Sequence, residues 1–375
     1  MNLTELIQGL TGGFLNTIVP FLFVLTIIVF FHELGHYLVG RWCGVRVSTF
    51  SIGFGPELIG WNDRSGTRWR IALLPLGGFV RFFGDADAAS TPDYEAAAAL
   101  TPEERAVSFV HQPVWKRFLI VLAGPMASIL LGVFIFSTNA YWDGRTVLIP
   151  KVASVVPESA AAEAGFKVGD IIVSVDGTEV ESFIDVQRIV GMYAGVPLNF
   201  LVKRDEGLLT LIATPKMQLK ESIVGTRRMG VLGIAAARDS STLIVKKETM
   251  LGAIAFGFRQ SWAVIENSGD FLAGLVSGRA STDQLSGPVG IAKMSGEVAK
   301  LGLGALIGFA GLLSVSIGFL NLMPIPLLDG GHLVLYTIEA IRNRTLDQKV
   351  TEIIFRFGLA IILCLTLFSL YIDLR

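Results

Sequence analysis

The chain has 375 residues, of which 52% are hydrophobic and only 17% charged, and its mean hydropathy is +0.60. That is too apolar for an ordinary soluble protein and calls for lipid as part of the solvent. A formal net charge of −1 argues against a nucleic-acid binder. The two cysteines, Cys43 and Cys364, lie far apart in different settings and give no basis for a disulfide or a cysteine-based metal site.

Three apolar runs, at about 14–38, 118–138 and 303–323, have the length a hydrocarbon core requires, and a fourth follows at about 353–372. The residues before the first run include Glu5 and no Lys or Arg, so a retained span is expected there rather than a cleavable secretory signal. Basic residues crowd the connection between the first two runs (Arg41 through Arg117) and recur between the last two (Arg342, Arg344, Lys349). By the positive-inside rule both connections are cytoplasmic and the N-terminus lies outside.

The first run ends on Phe31-His32-Glu33-Leu34-Gly35-His36. On a helix, His32 and His36 project from one face with Glu33 beside them. This H-E-x-x-H spacing offers Zn²⁺ two imidazole ligands and sets a carboxylate to serve as general base on zinc-activated water. The structural alternative, two histidines packed within a helix bundle, is costly in hydrocarbon without a partner or a task. If Arg41 marks the inner interface, a rise of 1.5 Å per residue puts His36 about 8 Å and His32 about 14 Å inside it. Hydrolysis at that depth requires a water-filled cleft.

Residues 45–83 read as a small sheet. Val45–Ile52 alternates, Glu57–Trp61 and Thr67–Leu74 flank the turn cluster Asn62-Asp63-Arg64-Ser65-Gly66, and Gly53-Phe54-Gly55-Pro56 and Pro75-Leu76-Gly77-Gly78 punctuate it. A sheet beside a metal cleft offers an edge to an extended peptide, which makes Gly53, Gly55, Gly77 and Gly78 candidate substrate-binding positions; a plain cytoplasmic hairpin is the alternative. Residues 84–106 read as a surface loop. In the second span, Ala123-Gly124-Pro125-Met126-Ala127-Ser128 invites close packing against the first.

Residues 146–216 read as an α/β module outside the membrane, with strands at Val152–Val156, Asp170–Val175, Leu198–Lys203 and Leu208–Ala213 and a helix at Asp185–Tyr193. With its Ala164-Gly165-Phe166-Lys167-Val168-Gly169-Asp170 run, it resembles a PDZ domain, a fold that takes peptide ends by strand addition; a purely steric role is the equal alternative. Residues 250–277 are nearly apolar enough to cross. Arg259, Glu266 and Asp270 interrupt them, and one helical stripe predicts an amphipathic helix at the outer interface or against the bundle. With four crossings, Asp329 returns to the leaflet depth of His32 and His36. It follows Asn321-Leu322-Met323-Pro324-Ile325-Pro326-Leu327-Leu328, where two prolines stop the third span. A catalytic zinc usually takes three protein ligands; Asp329 is the best candidate for the third, His332 the rival, and a helix N-cap the structural alternative for Asp329. His111 reads as a surface histidine. The Asn321 amide is a candidate to bind substrate backbone or an oxyanion, or else to cap a helix end.

Together these pieces resemble a site-2-type intramembrane metalloprotease, and more closely the bacterial regulator-of-sigma-E proteases. The likeness rests on His32–His36, the Gly53–Pro56 and Pro75–Val80 segments, the PDZ-like module, Ser286-Gly287-Pro288-Val289-Gly290-Ile291-Ala292 and Asn321–Gly331. It implies zinc on His32, His36 and Asp329, Glu33 as catalytic base, and a bacterial inner membrane with the active site toward the cytoplasmic leaflet and the PDZ module in the periplasm. Implied substrates are single-span membrane proteins, such as anti-sigma factors or signal-peptide remnants. Well-known members carry two tandem PDZ modules, whereas 139–249 has room for one. The expected fold is a polytopic α-helical membrane protein with four transmembrane helices, a small membrane-associated β-sheet after the first helix and a periplasmic α/β PDZ domain. Its expected segments are the first helix with the metal motif (1–44), the sheet and cytoplasmic loop (45–112), the second helix (113–138), the PDZ module with trailing strands (139–249), the amphipathic segment (250–300) and the last two helices (301–375). Rival readings are a non-enzymatic scaffold around a structural metal, and a metal transporter, for which the spans lack the several intramembrane carboxylates that a transport pathway usually shows.

Overall fold

The computed structural model describes residues 3–85, 99–205, 207–222, 225–236, 242–277, 287–344 and 346–374. Most of the loop expected at 84–106 lies outside them, as does Ser286. In chain order the elements are α1 (Leu3–Trp42), β1 (Val47–Asn62), β2 (Arg68–Phe82), α2 (Pro102–Val107), α3 (Val114–Trp142), β3 (Arg145–Leu148), β4 (Val152–Val155), α4 (Ala160–Glu163), β5 (Ile171–Val175), β6 (Thr178–Glu179) and α5 (Phe183–Met192). There follow β7 (Leu198–Arg204), β8 (Gly207–Ala213), β9 (Lys216–Ser222), β10 (Gly225–Val231), β11 (Ile234–Ala236), β12 (Leu243–Lys246), α6 (Met250–Val276), α7 (Pro288–Lys300), α8 (Leu303–Asn321), α9 (Asp329–Arg342) and α10 (Gln348–Leu374).

Among the described residues, four stretches are long and apolar enough to cross a membrane: Leu15–Trp42, Val114–Trp142, Leu303–Asn321 and Lys349–Asp373. They are the four expected spans; the first, second and fourth run a few residues further at one or both ends, the third stops two residues earlier, and α6 is not among them. The chain divides into two compact units, one holding residues 1–138, 254–268 and 282–375, the other 139–253 and 269–281.

In the first unit, small residues let the helices approach. A Cβ on Gly35 would stand 2.3 Å from the Ala123 carbonyl oxygen, and one on Gly132 would stand 2.2 Å from Cγ2 of Val315. Gly124, Ser128 and Gly132 therefore form a ridge on α3, four residues apart, that seats α1 on one flank and α8 on the other. Ser314 of α8 donates to the Ser128 carbonyl at 2.8 Å, satisfying a hydroxyl that hydrocarbon would leave stranded.

The expected sheet is there, built from two long bent strands rather than several short ones. Thr49 faces Arg81 on one side and Arg68 on the other, and Ile52 faces both Gly78 and Ile71. Each strand thus pairs twice, giving the order 57–62, 68–72, 47–52, 78–82, with 78–82 at an edge. The bends fall at the two glycine clusters: Gly53 and Gly55 have φ of +91° and +86° and Gly77 +153°, values that side chains with a Cβ adopt only under strain. Asp63 ties the outer turn to α1, accepting from Tyr37 Oη at 2.8 Å and from Trp69 Nε1 at 3.1 Å. Leu58, Ile59, Leu73, Leu74 and Leu76 are all more than half exposed; so many exposed large apolar side chains on one small sheet suit lipid rather than water.

The second unit is the PDZ-like module. Its central sheet has the order β6-β5-β7-β8 around a core that includes Val152, Phe166, Ile172, Val175, Leu198 and Phe200. The helix α5 starts at a capping box, Ser182 with Asp185. The strands expected to trail the module instead close onto its beginning: β11 pairs with β4, and β12 pairs with β3. Asp170, the last residue of the Ala164–Asp170 run, is 1% exposed and takes a two-pronged contact from Arg204, with both bonds at 2.8 Å.

Candidate metal centre

His32, Glu33 and His36 lie on one continuous stretch of α1, so helical geometry alone sets the two imidazoles side by side. Gly124 makes room for them: a Cβ there would stand 2.1 Å from Nε2 of His36. The outward ring nitrogens are held by α3. Nδ1 of His36 lies 2.9 Å from the Ile120 carbonyl oxygen, and Nδ1 of His32 lies 3.0 Å from Ser128 Oγ. A carbonyl only accepts, so Nδ1 of His36 carries a proton, and in the neutral ring this leaves the lone pair at Nε2 to face inward.

The third group arrives from the other end of the sequence. The α8 helix stops at Asn321, and a turn through Met323-Pro324-Ile325-Pro326 leads to Leu327, whose φ of +75° is unusual for a residue with a Cβ. Gly330 and Gly331 let α9 begin hard against this turn; added Cβ atoms would lie 2.2 Å from the Met323 carbonyl and 2.4 Å from that of Ile325. Leu328, not Asp329, occupies the N-cap position, and no side chain caps the helix. Asp329 is the first residue of α9, and its carboxylate turns to the imidazoles instead.

Nε2 of His32 stands 3.2 Å from Oδ2 of Asp329, Nε2 of His36 stands 3.5 Å from Oδ1, and the two Nε2 atoms are 3.3 Å apart. Donors bound tetrahedrally at about 2.05 Å would be separated by about 3.3 Å. Two imidazoles and a carboxylate converging at this spacing need a shared proton or a cation among them, and the donor set fits a zinc ion in spacing and in chemistry. Among the described residues it is the one group of three or more His, Cys, Asp or Glu side chains close enough to share a metal.

A cavity of about 200 Å³ opens onto this set, lined also by Glu33, Gly78, Val80, Asn321 and His332. The backbone N–H of Val80 bonds to the Glu33 carboxylate, which couples this residue to the 78–82 edge of the sheet. Gly78 is small because α1 passes so close: a Cβ would meet Val29 Cγ1 at 2.7 Å and Glu33 Cγ at 3.3 Å. Asn321 lies on the cavity wall, whereas Gly53, Gly55 and Gly77 shape the bends and do not line it. His332 lines the cavity but stays outside the converging set, packed 5.1 Å from the Phe355 ring. His111 does not line the cavity and is paired with Ser108 Oγ at 3.2 Å.

Residues 20–365 match the model of peptidase family M50. The chain belongs to peptidase family M50. A protein of Mesorhizobium japonicum with a provisional zinc-metalloprotease name is 47% identical over 363 residues, covering 96% of this chain and 99% of its own. One of Rhizobium meliloti, named in the same way, is 45% identical over 360 residues and 96% of each chain. The metalloprotease MmpA of Caulobacter vibrioides is 40% identical over 386 residues, covering 97% and 96%. The M50 chain is thus a multi-pass metalloprotease with a PDZ-like module.

The sequence alone did not single out Ile120, Gly124, Ser128 and Val80 as supports of the site. The available signal was the small-residue run Ala123–Ser128, which pointed to close packing against the first helix but not to which of its side chains would be held there.

Proposed function

We propose that this chain is a zinc endopeptidase of the site-2 type, close to the regulator-of-sigma-E proteases. It cuts peptide bonds within the transmembrane segments of single-span proteins, anti-sigma factors or signal-peptide remnants being the classes the resemblance implies. The observation that carries the reading is the convergence of His32, His36 and Asp329 at zinc-ligand spacing in one cavity with Glu33. Three protein ligands leave a position open, as catalytic sites do, and His332 does not close it as a structural site would require.

His32, His36 and Asp329 hold the zinc, which when bound polarises the scissile carbonyl and makes water nucleophilic near neutral pH. Glu33 takes the proton of the attacking water and passes it to the leaving nitrogen. A helical substrate hides its carbonyls in i→i−4 bonds and must first unwind. The 78–82 edge, one residue of which already bonds Glu33, then holds the unwound stretch extended by strand addition, with Gly78 granting close approach and Gly53, Gly55 and Gly77 shaping the sheet. The Asn321 amide bonds substrate backbone or the developing oxyanion. The setting is a bacterial inner membrane, with the site in the cytoplasmic leaflet and the PDZ module periplasmic. That module takes a peptide end in its own groove of about 180 Å³ between α5 and residues 230–234.

Purified protein is expected to cleave a single-span substrate carrying a helix-breaking residue, and a zinc chelator is expected to stop it. Glu33→Gln should retain zinc and lose cleavage. Cleavage by Glu33→Gln at the wild-type rate would remove Glu33 from its role.

A further inference from the structure

Three elements that line the metal-ligand cavity run on and enclose a second one. One helical turn from His32 on α1 stands Ile28. One turn from Asn321 on α8 stands Ile317, with Leu313 a further turn along, and two residues before Gly78 on β2 stands Leu76. With Pro288 and Ile291 of α7 these side chains help surround a cavity of about 300 Å³ in which every lining residue is apolar. Ile28, only 1% exposed, is part of its lining. Its α7 wall is anchored: the Asp373 carboxylate accepts from the backbone N–H groups of Gly287 and Val289 at 2.9 Å and of Gly290 at 3.1 Å.

We infer that this second cavity is a specificity pocket for one large aliphatic or aromatic side chain of the substrate, two residues from the scissile bond. The inference rests on the peptidase reading above and deepens it. One helical turn is about 5.4 Å along its axis, and two residues of extended chain span about 6.6 Å. A peptide laid along the 78–82 edge with its reacting carbonyl at the metal ligands therefore delivers its second neighbour on the Leu76 side into the apolar cavity. Residues two apart in an extended chain face the same way, so the side chain that enters is fixed by register. The shared walls favour a substrate side chain over a lipid tail, because a tail has no register with the cavity beside it. Inside a membrane nearly every substrate residue is apolar, so size, not polarity, is what such a pocket reads.

The test uses the full-length protein and a helix-breaking single-span substrate whose residues flanking the cleaved bond are varied among Ala, Leu, Phe and Asp. Wild type should prefer Leu or Phe over Ala by about tenfold in kcat/KM at one position, two residues from the bond. Leu313→Trp, which fills the pocket, should turn that preference toward Ala. A photoreactive phenylalanine analogue replacing Leu313 in the Glu33→Gln protein should cross-link to that same substrate residue. Cleavage with no size preference at that position, equal losses for Ala and Leu substrates in Leu313→Trp, or cross-links to lipid alone would overturn the assignment and leave the peptidase reading standing. A zinc-loaded wild type that cuts no substrate would overturn both.

Discussion

At the scale of single residues, the site depends on what is missing at position 124 as much as on what is present at 32, 36 and 329. The space a methyl group would take on Gly124 is filled by the His36 ring, 2.1 Å from the ideal Cβ position. Neither party can give easily, since the ring is also tied to the Ile120 carbonyl through Nδ1. On the proposed ligand set, Gly124→Ala is therefore expected to push His36 away from His32 and Asp329 and to lower zinc affinity and cleavage by about 10- to 100-fold, the usual size of an effect on a supporting residue. Zinc titration of the variant measures this, and the remaining fold is checked by unchanged susceptibility of the module at 139–253 to protease. Nothing near position 124 in the sequence says that a histidine 88 residues earlier needs the room. The H-E-x-x-H motif, by contrast, was legible because both imidazoles and the carboxylate sit within five residues of one helix, where spacing alone fixes geometry.

At the scale of elements, two contacts decide whether the walls of the cavity stand where they do. Asp63 binds the outer turn of the β1–β2 sheet to α1. Burial works against its charge, but the N–H groups of Thr67 and Ser65 with the Trp69 and Tyr37 side chains outweigh it and hold the carboxyl down at about 2. Its ordinary value is about 3.9. Because the folded value is the lower one, this group's contribution to stability is fully present above pH about 4 and is lost as pH falls toward about 2. Limited proteolysis between residues 57 and 70 should accelerate in that acid window, and Asp63→Asn should accelerate it at neutral pH.

The second contact is a buried ion pair. Arg117 of α3 reaches Glu339 of α9 at 2.8 Å, lies over the Tyr336 ring, and has a side chain only 11% exposed against 8% for Glu339. Removing one partner leaves an uncompensated buried charge, so Arg117→Met is expected to destabilise by about 3–5 kcal/mol, read as a lower thermal unfolding midpoint in detergent. The sheet shows where local pattern stops being informative. Gly53–Pro56 and Pro75–Gly78 were visible as interruptions, but they bend strands that continue. The pairing of Thr49 with two partners is a long-range fact that alternation cannot carry.

At the scale of the whole molecule, a chain with four stretches fit to cross a membrane joins its two ends at one point. The position of Asp329 could be anticipated because counting crossings is a parity argument. An odd number of passes between His36 and Asp329 would have separated them, and reading 250–277 as amphipathic kept the count even. The second apolar cavity could not be anticipated, since its lining comes from α1, β2, α7 and α8 and exists only once they pack. The same holds for the closure of the PDZ-like module by β11 and β12, which pair with strands roughly 80 to 100 residues earlier. What unites the distant segments is the donor set of two imidazoles and one carboxylate, so metal content is the direct probe. Purified wild-type protein should carry stoichiometric zinc, and Asp329→Ala should lose most of it while keeping its fold. Wild-type zinc content in Asp329→Ala would contradict the account, because the segment after the third crossing would then have no part in holding the metal.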